Sequence, residues 1–449
     1  MGWRGDPLVE GDGGNSMESA YLKDYQERLR SVEQIIDMIH DGAFISAGQF
    51  AGNPQGLLSG IHRIQSRARN VTLQSSFLMG DYPFLTEPGM EESLLLEAWF
   101  YGAKERAAHP TGLVSLMPGG LGLLAAKKLS YQRPTMFWGM SSPMDSHGNF
   151  NLGMSVAYEM DMLEAADIVV IEVNDQAPRV FGGNTIHLRD VDFVVEHSAP
   201  MPTTSPAPIG EAEDAIGRHV ASLIEDGACI QLGIGNIPEA VGNHLSDKND
   251  LGVHTELITD SMARLWEQGV ITNQHKKLWP GKMIGTLVLG SQALYDFIDD
   301  NPQVELHRGS IVNNPYLIAM NDNQVSVNTA LQVDLTGAVA SESIGPRQFS
   351  ATGGQFETAY GAQLSKGGKS IIALHATAKN GAISTIVPTM ESGTVTTLSR
   401  NDVDYVVTEF GIAPLRGRPI RERVENLISI AHPKFRSQLE HKAKELRLW

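Results

Sequence analysis

One carboxylate in this chain has a setting in which it could act as a nucleophile. Glu256 belongs to residues 252–260, which read GVHTELITD. Val253 predicts a short buried strand, and Glu256 lies in the turn that follows it. A carboxylate held in such a turn can attack a carbonyl carbon and form a covalent intermediate. Taken alone, a Glu is more often a surface or helix-capping residue than a nucleophile. The choice between these roles therefore depends on the residues around Glu256.

His254, two positions before Glu256, raises the question of a metal site. The spacing does not place both residues on one face of a helix, and no second His stands nearby in the pattern of a zinc helix. We therefore expect His254 to be a core or hydrogen-bonded residue, and we predict no metal site.

Two glycine-containing segments could surround Glu256 with backbone donors. Residues 231–238 (QLGIGNIP) predict a strand, a glycine loop and a proline in the first turn of a helix. The N–H groups of such a loop favour phosphate or carbonyl oxygens, although a plain strand-to-helix turn fits equally well. Residues 353–355 (GGQ) could aim N–H groups at a developing oxyanion, or form an ordinary turn. Asn328, in an alternating segment, is expected either in the cleft or at a strand edge.

The composition predicts a globular protein with more than one domain. At 449 residues the chain favours two domains of roughly 200 residues each. The formal charge of −17 argues against a nucleic-acid surface, and the apolar runs near Val169 and Leu287 are too short to span a membrane. The single cysteine, Cys229, fits a reducing cytoplasm and has the apolar neighbours of an inert core thiol. Residues 1–16 predict a disordered tail or an expression remnant, with no secretory leader.

Helical periodicity alternates with short β-branched runs, which predicts an α/β fold with largely parallel sheets. A helix expected over about residues 24–40 is followed by Asp41-Gly42 and a strand at 43–46. A helix expected over about 211–225 is followed by Asp226-Gly227 and a strand at 228–232. The two Asp-Gly pairs are 185 positions apart, which indicates an internal repeat.

A proline-rich segment separates these two halves. Residues 200–209 contain prolines that favour an extended chain and cannot pair within a central strand. We therefore predict an N-terminal α/β domain over 17–199, a linker over 200–209 and a C-terminal α/β domain over 210–449. The glycine loops after the first strand of each half would face each other across a cleft.

Several motifs occur together in an order that resembles the class I coenzyme A transferases, specifically the acetyl-CoA hydrolase/transferase family and its 4-hydroxybutyrate (butyrate) CoA-transferase branch. The resemblance runs from about residue 20 to the C-terminus. It rests on SPMDSHGNF at 142–150, EVNDQAPR at 172–179, the 231–238 loop, the His-Thr-Glu segment, the Val-Asn strand, Gly-Gly-Gln and TEFGIAPLRG at 408–417. It implies two similar Rossmann-like domains with the active site in the cleft between them.

The resemblance also implies residue roles. Glu256 would attack the donor thioester and become a glutamyl-CoA thioester in a ping-pong reaction. Gly354 N–H and the Asn328 amide would bind the oxyanion, and Glu409 matches a second family glutamate near the reaction centre. The residues implied in binding CoA or substrate are Gln231, Gly233, Ile234, Gly235, Asn236, Gly353, Gln355 and Tyr360. CoA and acyl-CoA are then substrates, with no permanently bound cofactor.

One departure from the family pattern affects the substrate. The family commonly continues Gly-Gly-Gln with an apolar residue, Asp-Phe and then Arg two positions later, whereas this chain reads FETAYG at 356–361. The expected function is CoA transfer between a short-chain acyl-CoA, such as acetyl-CoA or butyryl-CoA, and a small acid such as 4-hydroxybutyrate. The alternatives are an itaconate or succinate CoA-transferase, an acetyl-CoA hydrolase and a non-catalytic CoA-binding regulator. Relatives of this kind suggest a cytoplasmic homodimer or higher homo-oligomer, with no nucleic-acid or membrane partner.

The four arginines near the C-terminus have two interpretations. They could form a basic patch for the CoA phosphates, since the chain is acidic overall. Equally, they could be ion-paired at the start of a helix that is also rich in Glu. They are Arg416, Arg418, Arg421 and Arg423.

Overall fold

The computed structural model describes residues 13–205 and 207–448. Most of the predicted tail therefore lies outside the described residues, and its last four residues begin the first helix. The α-helices are α1 (Gly13–Arg28), α2 (Val32–Asp37), α3 (Gln55–Gly60), α4 (Ala103–Ala108), α5 (Leu124–Tyr131), α6 (Glu159–Ala165), α7 (Glu211–Ala221), α8 (Asn236–Asn243), α9 (Asp260–Glu267), α10 (Gln292–Ile298), α11 (Gly309–Val312), α12 (Pro315–Ile318), α13 (Gln355–Leu364), α14 (Ile420–Ile430) and α15 (Pro433–Glu445).

Strands of the first half are β1 (Phe44–Ala47), β2 (Val71–Gln74), β3 (Leu94–Ala98), β4 (Val114–Leu116), β5 (Met136–Ser141), β6 (Asn149–Asn151), β7 (Ile168–Val173), β8 (Phe181–Gly182), β9 (Thr185–His187) and β10 (Phe193–Glu196). Those of the second half are β11 (Cys229–Leu232), β12 (Gly252–Val253), β13 (Leu257–Ile258), β14 (Met283–Gly285), β15 (Leu287–Val288), β16 (Val304–Leu306), β17 (Gln324–Thr329), β18 (Gln332–Asp334), β19 (Val339–Ala340), β20 (Ser343–Ile344), β21 (Arg347–Gln348), β22 (Lys369–Ala373), β23 (Thr377–Ala378), β24 (Ile383–Ser384), β25 (Ile386–Val387), β26 (Tyr405–Thr408) and β27 (Gly411–Pro414).

Two main sheets confirm the α/β prediction. The first has the order β10-β7-β5-β1-β2-β3-β4 and is parallel throughout. The second has the order β12-β11-β17-β22-β26-β27 and is parallel except for its last pair. Strands such as β5, whose six residues are all buried, are covered on both faces, as parallel sheets require.

Each main sheet belongs to one side of the proline-rich segment, which runs between β10 and α7. The halves are nevertheless joined by backbone contacts. Strand β8 of the first half pairs with β16 of the second, and Val156 N–H donates to Thr286 O over 3.0 Å. These contacts fix the two halves against each other beside Glu256.

The internal repeat is visible in two matching turns. Gly42 and Gly227 both have left-handed backbone, with φ of +74° and +71°, a conformation that favours glycine. Asp41 accepts a hydrogen bond from Arg69 N–H at 2.8 Å, and Asp226 accepts one from Asn249 N–H at 2.9 Å. The same turn therefore introduces the first strand of each sheet, β1 and β11.

The expected helix over residues 24–40 was wrong in one respect, because the chain breaks it into α1 and α2. Ser31 caps α2, and its hydroxyl accepts from Gln34 N–H while Gln34 reaches back to Ser31 N–H. Leu29 makes a β-bridge to Val194 instead of continuing α1. The expected helix over 211–225 is also shorter, since α7 ends at Ala221. Within the two described ranges, no helix is long and apolar enough to cross a membrane.

Candidate active site

Glu256 lies between β12 and β13, at the boundary of the two halves. Its carbonyl oxygen accepts hydrogen bonds from Thr286 N–H and Leu287 N–H, both at 3.0 Å. Thr255, just before it, is buried, and its N–H donates to Ile284 O at 3.0 Å. The backbone of Glu256 is therefore fixed by the segment that contacts the first half of the chain.

Two donors hold the Glu256 carboxylate. Asn313 Nδ2 donates to Glu256 Oε2 over 3.0 Å, and the backbone N–H of Gly354 also binds the carboxylate. Gly354 precedes α13, so the positive end of that helix faces the negative charge. Desolvation nevertheless raises the pKa of Glu256 above its ordinary value, because the two hydrogen bonds only partly offset burial.

Position 354 has no space for a side chain. A Cβ built on Gly354 would stand 2.0 Å from Glu256 Oε2 and 2.0 Å from Asn313 Nδ2. Glycine is required here because backbone, carboxylate and amide approach one another closely. The preceding Gly353 has φ of +55°, which turns the loop toward the carboxylate.

The carboxylate opens into a cavity of about 140 Å³. Residues of both halves line it, with Phe50 and Phe100 from the first half. Seven residues predicted from the sequence are among the lining: Gln231, Gly233, Ile234, Asn328, Gly353, Gly354 and Gln355.

A second groove continues from Gly233 and Ile234. Gly235 and Asn236, also predicted, line it together with Phe77 and residues of the proline-rich segment. Gly235 has φ of +109° and immediately precedes α8, so the loop exposes backbone N–H groups at a helix N-terminus. The site thus has an extended approach that suits a long, thin ligand.

A third, smaller cavity of about 20 Å³ also touches Glu256. Apart from Gln49 and Glu256, its lining side chains are apolar or aromatic. They are Phe50, Trp99, Phe100, Leu121, Leu124 and Leu287, with Gly119 and Gly353 completing the lining. Apolar side chains therefore surround this side of Glu256.

Asn328 lines the main cavity but does not hold Glu256. Its Nδ2 donates to Ser326 Oγ at 3.0 Å and Thr358 Oγ1 at 3.2 Å. The amide that contacts Glu256 belongs to Asn313, which the sequence interpretation missed. Asn313 directly follows α11, far from Glu256 in the chain, and no local pattern marks their contact.

Two other predicted residues do not reach these cavities. Tyr360 lies more than a turn into α13, and its ring stacks on Phe356 with centroids 5.6 Å apart. Glu409 follows β26, where its carboxylate accepts from Ala376 N–H at 2.9 Å. Neither residue is among the lining of the three spaces around Glu256.

Glu357 is a second carboxylate close to the site. It stands in the first turn of α13, and its Oε1 accepts from Gly122 N–H of the first half at 3.3 Å. Burial, which is the larger cause, and the negative charge of Glu256 together raise the pKa of Glu357 to about 7. Sequence comparison marked this stretch only as a departure from the family pattern.

His254 is a buried, hydrogen-bonded residue, as predicted. Its Nε2 is 2.8 Å from Val312 O, a geometry that makes this nitrogen the donor. Asn321 Nδ2 donates to Nδ1 at 3.4 Å. Burial lowers the pKa of His254 to about 3, so the ring is neutral at physiological pH. Cys229 is buried as well, and desolvation raises its pKa to about 11, which makes it an inert thiol.

The four C-terminal arginines have partners within the chain. Arg418 pairs with Glu422, Arg421 with Glu425, and Arg416 with Asp404, while Arg423 donates to backbone carbonyls. None lines the cavities around Glu256. The structure therefore favours the ion-paired interpretation of this segment.

The fold and the site define a class of proteins built on the CoA-transferase plan. The acetyl-CoA hydrolase/transferase N-terminal domain matches residues 139–204, and its C-terminal domain matches residues 290–443. The chain belongs to this acetyl-CoA hydrolase/transferase family, on its CoA-transferase branch, as its motifs predict.

Individual relatives agree with this placement. The chain is 39% identical to 4-hydroxybutyrate coenzyme A transferase of Clostridium kluyveri, over 94% of this chain and 98% of that protein. It is also 39% identical to succinyl-CoA:cyclohexane-1-carboxylate CoA transferase of Geobacter metallireducens, over 95% and 97%. The solved structure of RipA from Yersinia pestis matches with a TM-score of 0.90 and 34% identity, over 96% of this chain and 100% of that one. The acetyl-CoA hydrolases among its relatives are more distant.

Proposed function

We propose that this enzyme transfers coenzyme A from a short-chain acyl-CoA to a small carboxylic acid through a covalent intermediate on Glu256. The observation that carries the proposal is the Glu256 carboxylate, held by Asn313 and Gly354 where three spaces meet. The apolar side chains beside Glu256 favour contact with an acyl group, and the groove at Gly235 and Asn236 suits the pantetheine and phosphates of CoA.

The first half-reaction needs only groups already in the site. An oxygen of Glu256 attacks the thioester carbonyl, and the C–S bond breaks to release CoA thiolate and leave an acyl-glutamyl anhydride. The thiolate then attacks the Glu256 carbonyl carbon and expels the acyl group as a carboxylate. The product is a glutamyl-CoA thioester, and an acceptor carboxylate reverses these steps. The thioester bond energy is retained throughout, so no nucleotide is consumed.

Each addition places negative charge on a carbonyl oxygen. The Gly354 N–H and the Asn313 amide bind the carboxylate in the free enzyme and are positioned to donate hydrogen bonds to this oxygen. Asn328 lines the same cavity. Donors fixed before the reaction stabilise an oxyanion without reorganisation. The raised pKa of Glu256 makes its ionised form more basic, which favours attack on the thioester.

For the acceptor we propose a short monocarboxylate such as acetate, butyrate or 4-hydroxybutyrate. The relatives act on acids as different as 4-hydroxybutyrate and cyclohexane-1-carboxylate, so family membership restricts the type of reaction more than the identity of the acid. A panel of acetate, butyrate, 4-hydroxybutyrate, succinate and itaconate, compared by kcat/KM, tests this choice. The highest value for succinate or itaconate would contradict it.

Hydrolysis of acetyl-CoA would follow if water reached the glutamyl thioester. We propose transfer as the main activity because the carboxylate is desolvated and the hydrolases are the more distant relatives. Release of free CoA from acetyl-CoA, measured with and without an acceptor acid, separates the two. Rapid release without an acceptor would favour the hydrolase.

Glu256→Gln tests the mechanism, because the amide keeps the shape and removes the nucleophile. We expect exchange between acetyl-CoA and labelled acetate to fall to background, while the affinity for CoA stays within a few-fold of wild type. Near-normal turnover in this variant would refute the covalent mechanism.

The single cysteine is buried, which fits a protein of the reducing cytoplasm. We also propose that the enzyme is a homodimer, and light scattering of the purified protein tests this oligomeric state.

A further inference from the structure

A loop of the first half crosses to the second half close to Glu256. It connects β4 to α5, and residues 118–122 of it, here called the β4–α5 loop, read PGGLG. The N–H of Leu121 in this loop donates to Gly353 O over 3.3 Å. The loop therefore binds the residue directly before Gly354.

The peptide unit that joins Gly353 to Gly354 is held at both ends. A trans peptide is planar, so its C=O and N–H groups point in opposite directions. The C=O of Gly353 accepts from Leu121 N–H, and the N–H of Gly354 binds the Glu256 carboxylate. A rotation of this unit that broke the first hydrogen bond would also turn the Gly354 donor away from Glu256. The loop therefore fixes the direction of a donor that belongs to the other half.

Two glycines allow the loop to approach this closely. A Cβ built on Gly120 would stand 2.0 Å from Glu357 Oε1, and one built on Gly122 would stand 3.0 Å from Asn313 O. The N–H of Gly122 also donates to Glu357 Oε1 over 3.3 Å. Neither glycine has left-handed backbone, so the lack of space for a side chain is what requires them. The loop thus packs against both segments that supply donors to Glu256.

We infer that the β4–α5 loop is a positioning element for the oxyanion donor Gly354, so that the first half of the chain controls the rate of the chemical step. Leu121 N–H, the peptide unit before Gly354 and the Glu256 carboxylate form a chain of hydrogen bonds, and the bonds of such a chain strengthen one another. The inference rests on the proposed function, in which the Gly354 N–H stabilises the oxyanion. It adds a backbone group of the first half that acts on the reaction through Gly354.

Gly120→Ala tests the inference, because the added methyl group would overlap Glu357 Oε1 and the loop must withdraw from Gly353. We expect kcat for exchange between acetyl-CoA and labelled acetate to fall ~10-fold or more, with KM for acetyl-CoA within a few-fold of wild type. In a Glu357→Ala background the methyl group has space, so the same change at position 120 should alter kcat by less than ~3-fold. A merely structural role of Gly120 would not produce this rescue together with an unchanged KM.

Gly183→Ala is the matched control. Gly183 also belongs to the first half and its N–H donates to Leu306 O of the second half at 2.8 Å, but an added Cβ would stand 3.5 Å from its nearest neighbour, His307 Nδ1. This variant should keep the wild-type kcat.

Leu121→Pro and Leu121→Ala give a second comparison, which decides the question if Gly120→Ala does not fold. Both variants remove the leucine side chain, but only proline lacks the N–H that binds Gly353 O. We expect kcat to be ~10-fold or more lower in Leu121→Pro than in Leu121→Ala.

Three results would overturn the inference: wild-type kcat in Gly120→Ala, an equal loss of kcat with and without the Glu357 carboxyl, or equal kcat in the two Leu121 variants. In each case the proposed function stands, provided that wild type and Gly183→Ala perform the exchange. Absence of the exchange in wild type would instead refute the function.

Discussion

The two halves of the molecule use the same structural unit for different purposes. In each, an Asp-Gly turn introduces the first strand, and the loop after that strand reaches the cleft. The loop of the first half ends in Gln49 and Phe50, which line the small apolar cavity. The loop of the second half is made of Gly233 and its neighbours, which leave room along the groove.

The difference between the two loops shows how two copies of one structural unit contribute different groups to a transferase. The second half contributes Glu256 and both groups that hold it, Asn313 and Gly354. The first half contributes most of the side chains that line the small cavity beside Glu256. Changes in the second half should therefore reduce the rate for every substrate, whereas changes at the first-half loop should alter which substrate is preferred.

Gly354→Ala should have the largest effect among the variants that retain Glu256. The added Cβ would overlap Glu256 Oε2 and Asn313 Nδ2, so the carboxylate must move. A displacement of that size is expected to reduce kcat by ~100-fold or more. Gly183→Ala is the control, because its Cβ would be 3.5 Å from its nearest neighbour, His307 Nδ1. Similar kcat values in the two variants would contradict the proposed geometry.

Asn313→Ala should cause the next largest reduction in kcat. It removes the side-chain hydrogen bond to the Glu256 carboxylate, a charged bond whose loss corresponds to ~10-fold to 100-fold in kcat. Asn328→Ala should have a smaller effect on the same half-reaction, because its amide donates to Ser326 and Thr358. Single-turnover formation of the enzyme-bound CoA intermediate would measure both. A greater loss in Asn328→Ala would show that Asn328 contributes more than Asn313 to this half-reaction.

Glu357→Gln tests the connection between the halves, because Glu357 contacts Gly122 and is electrostatically coupled to Glu256. Because the charge of Glu256 raises the pKa of Glu357, Glu256 is the first of the two to ionise, and Glu357 is then still protonated. Glu357→Gln should therefore leave the acid limb of kcat/KM unmoved and remove the change in kcat/KM that the ionisation of Glu357 causes near pH 7. An acid limb that moves to lower pH in the variant would contradict this order of ionisation.

The same substitution has a predicted effect on stability. The pKa of Glu357 is raised to about 7 in the folded protein, so the native state binds its proton more tightly than the unfolded chain. The stability that this provides is present at low pH and is lost as pH rises through about 7. The Tm of Glu357→Gln relative to wild type should therefore be higher at pH 8 than at pH 5. An equal difference at both pH values would be inconsistent with the raised pKa.

Asp41→Ala and Asp226→Ala should have the smallest effects. Each removes a carboxylate that accepts a backbone N–H in the repeated turn, and Asp226 also accepts a hydrogen bond from the Asn249 side chain at 3.1 Å. We expect Tm to fall on the order of 2 °C in Asp41→Ala and somewhat more in Asp226→Ala, with kcat nearly unchanged in both. A greater fall in Asp41→Ala would contradict this assignment of the turn contacts.

Much of this fold follows from local patterns in the sequence. The internal repeat could be predicted from the sequence because the conformations of Asp-Gly turns and buried strands are determined by residues close together in the chain. The break between α1 and α2 could also have been predicted, since Ser31 and Gln34 have the spacing of a capping box. The continuous apolar stripe led instead to the prediction of a single helix. Glu256 and Gly354 could be assigned only through resemblance to a family.

The contacts that complete the site could not be predicted from the sequence. Asn313 contacts Glu256 across 57 positions of the chain, and Gln49 reaches the same carboxylate's cavity from the other half. Neither residue has a neighbourhood that differs from an ordinary loop or helix end. The roles of Tyr360 and Glu409 stay predictions of the family motif, since their contacts in the structure are with Phe356 and Ala376.

The most direct test of the central claim is to identify the atom that becomes bonded to CoA. Enzyme incubated with acetyl-CoA, then treated with borohydride or hydroxylamine and digested, should be modified on the peptide containing Glu256 and at that residue alone. Glu256→Gln treated in the same way should remain unmodified. Modification at another carboxylate, or no modification in an enzyme that still exchanges acetyl-CoA with acetate, would contradict the account.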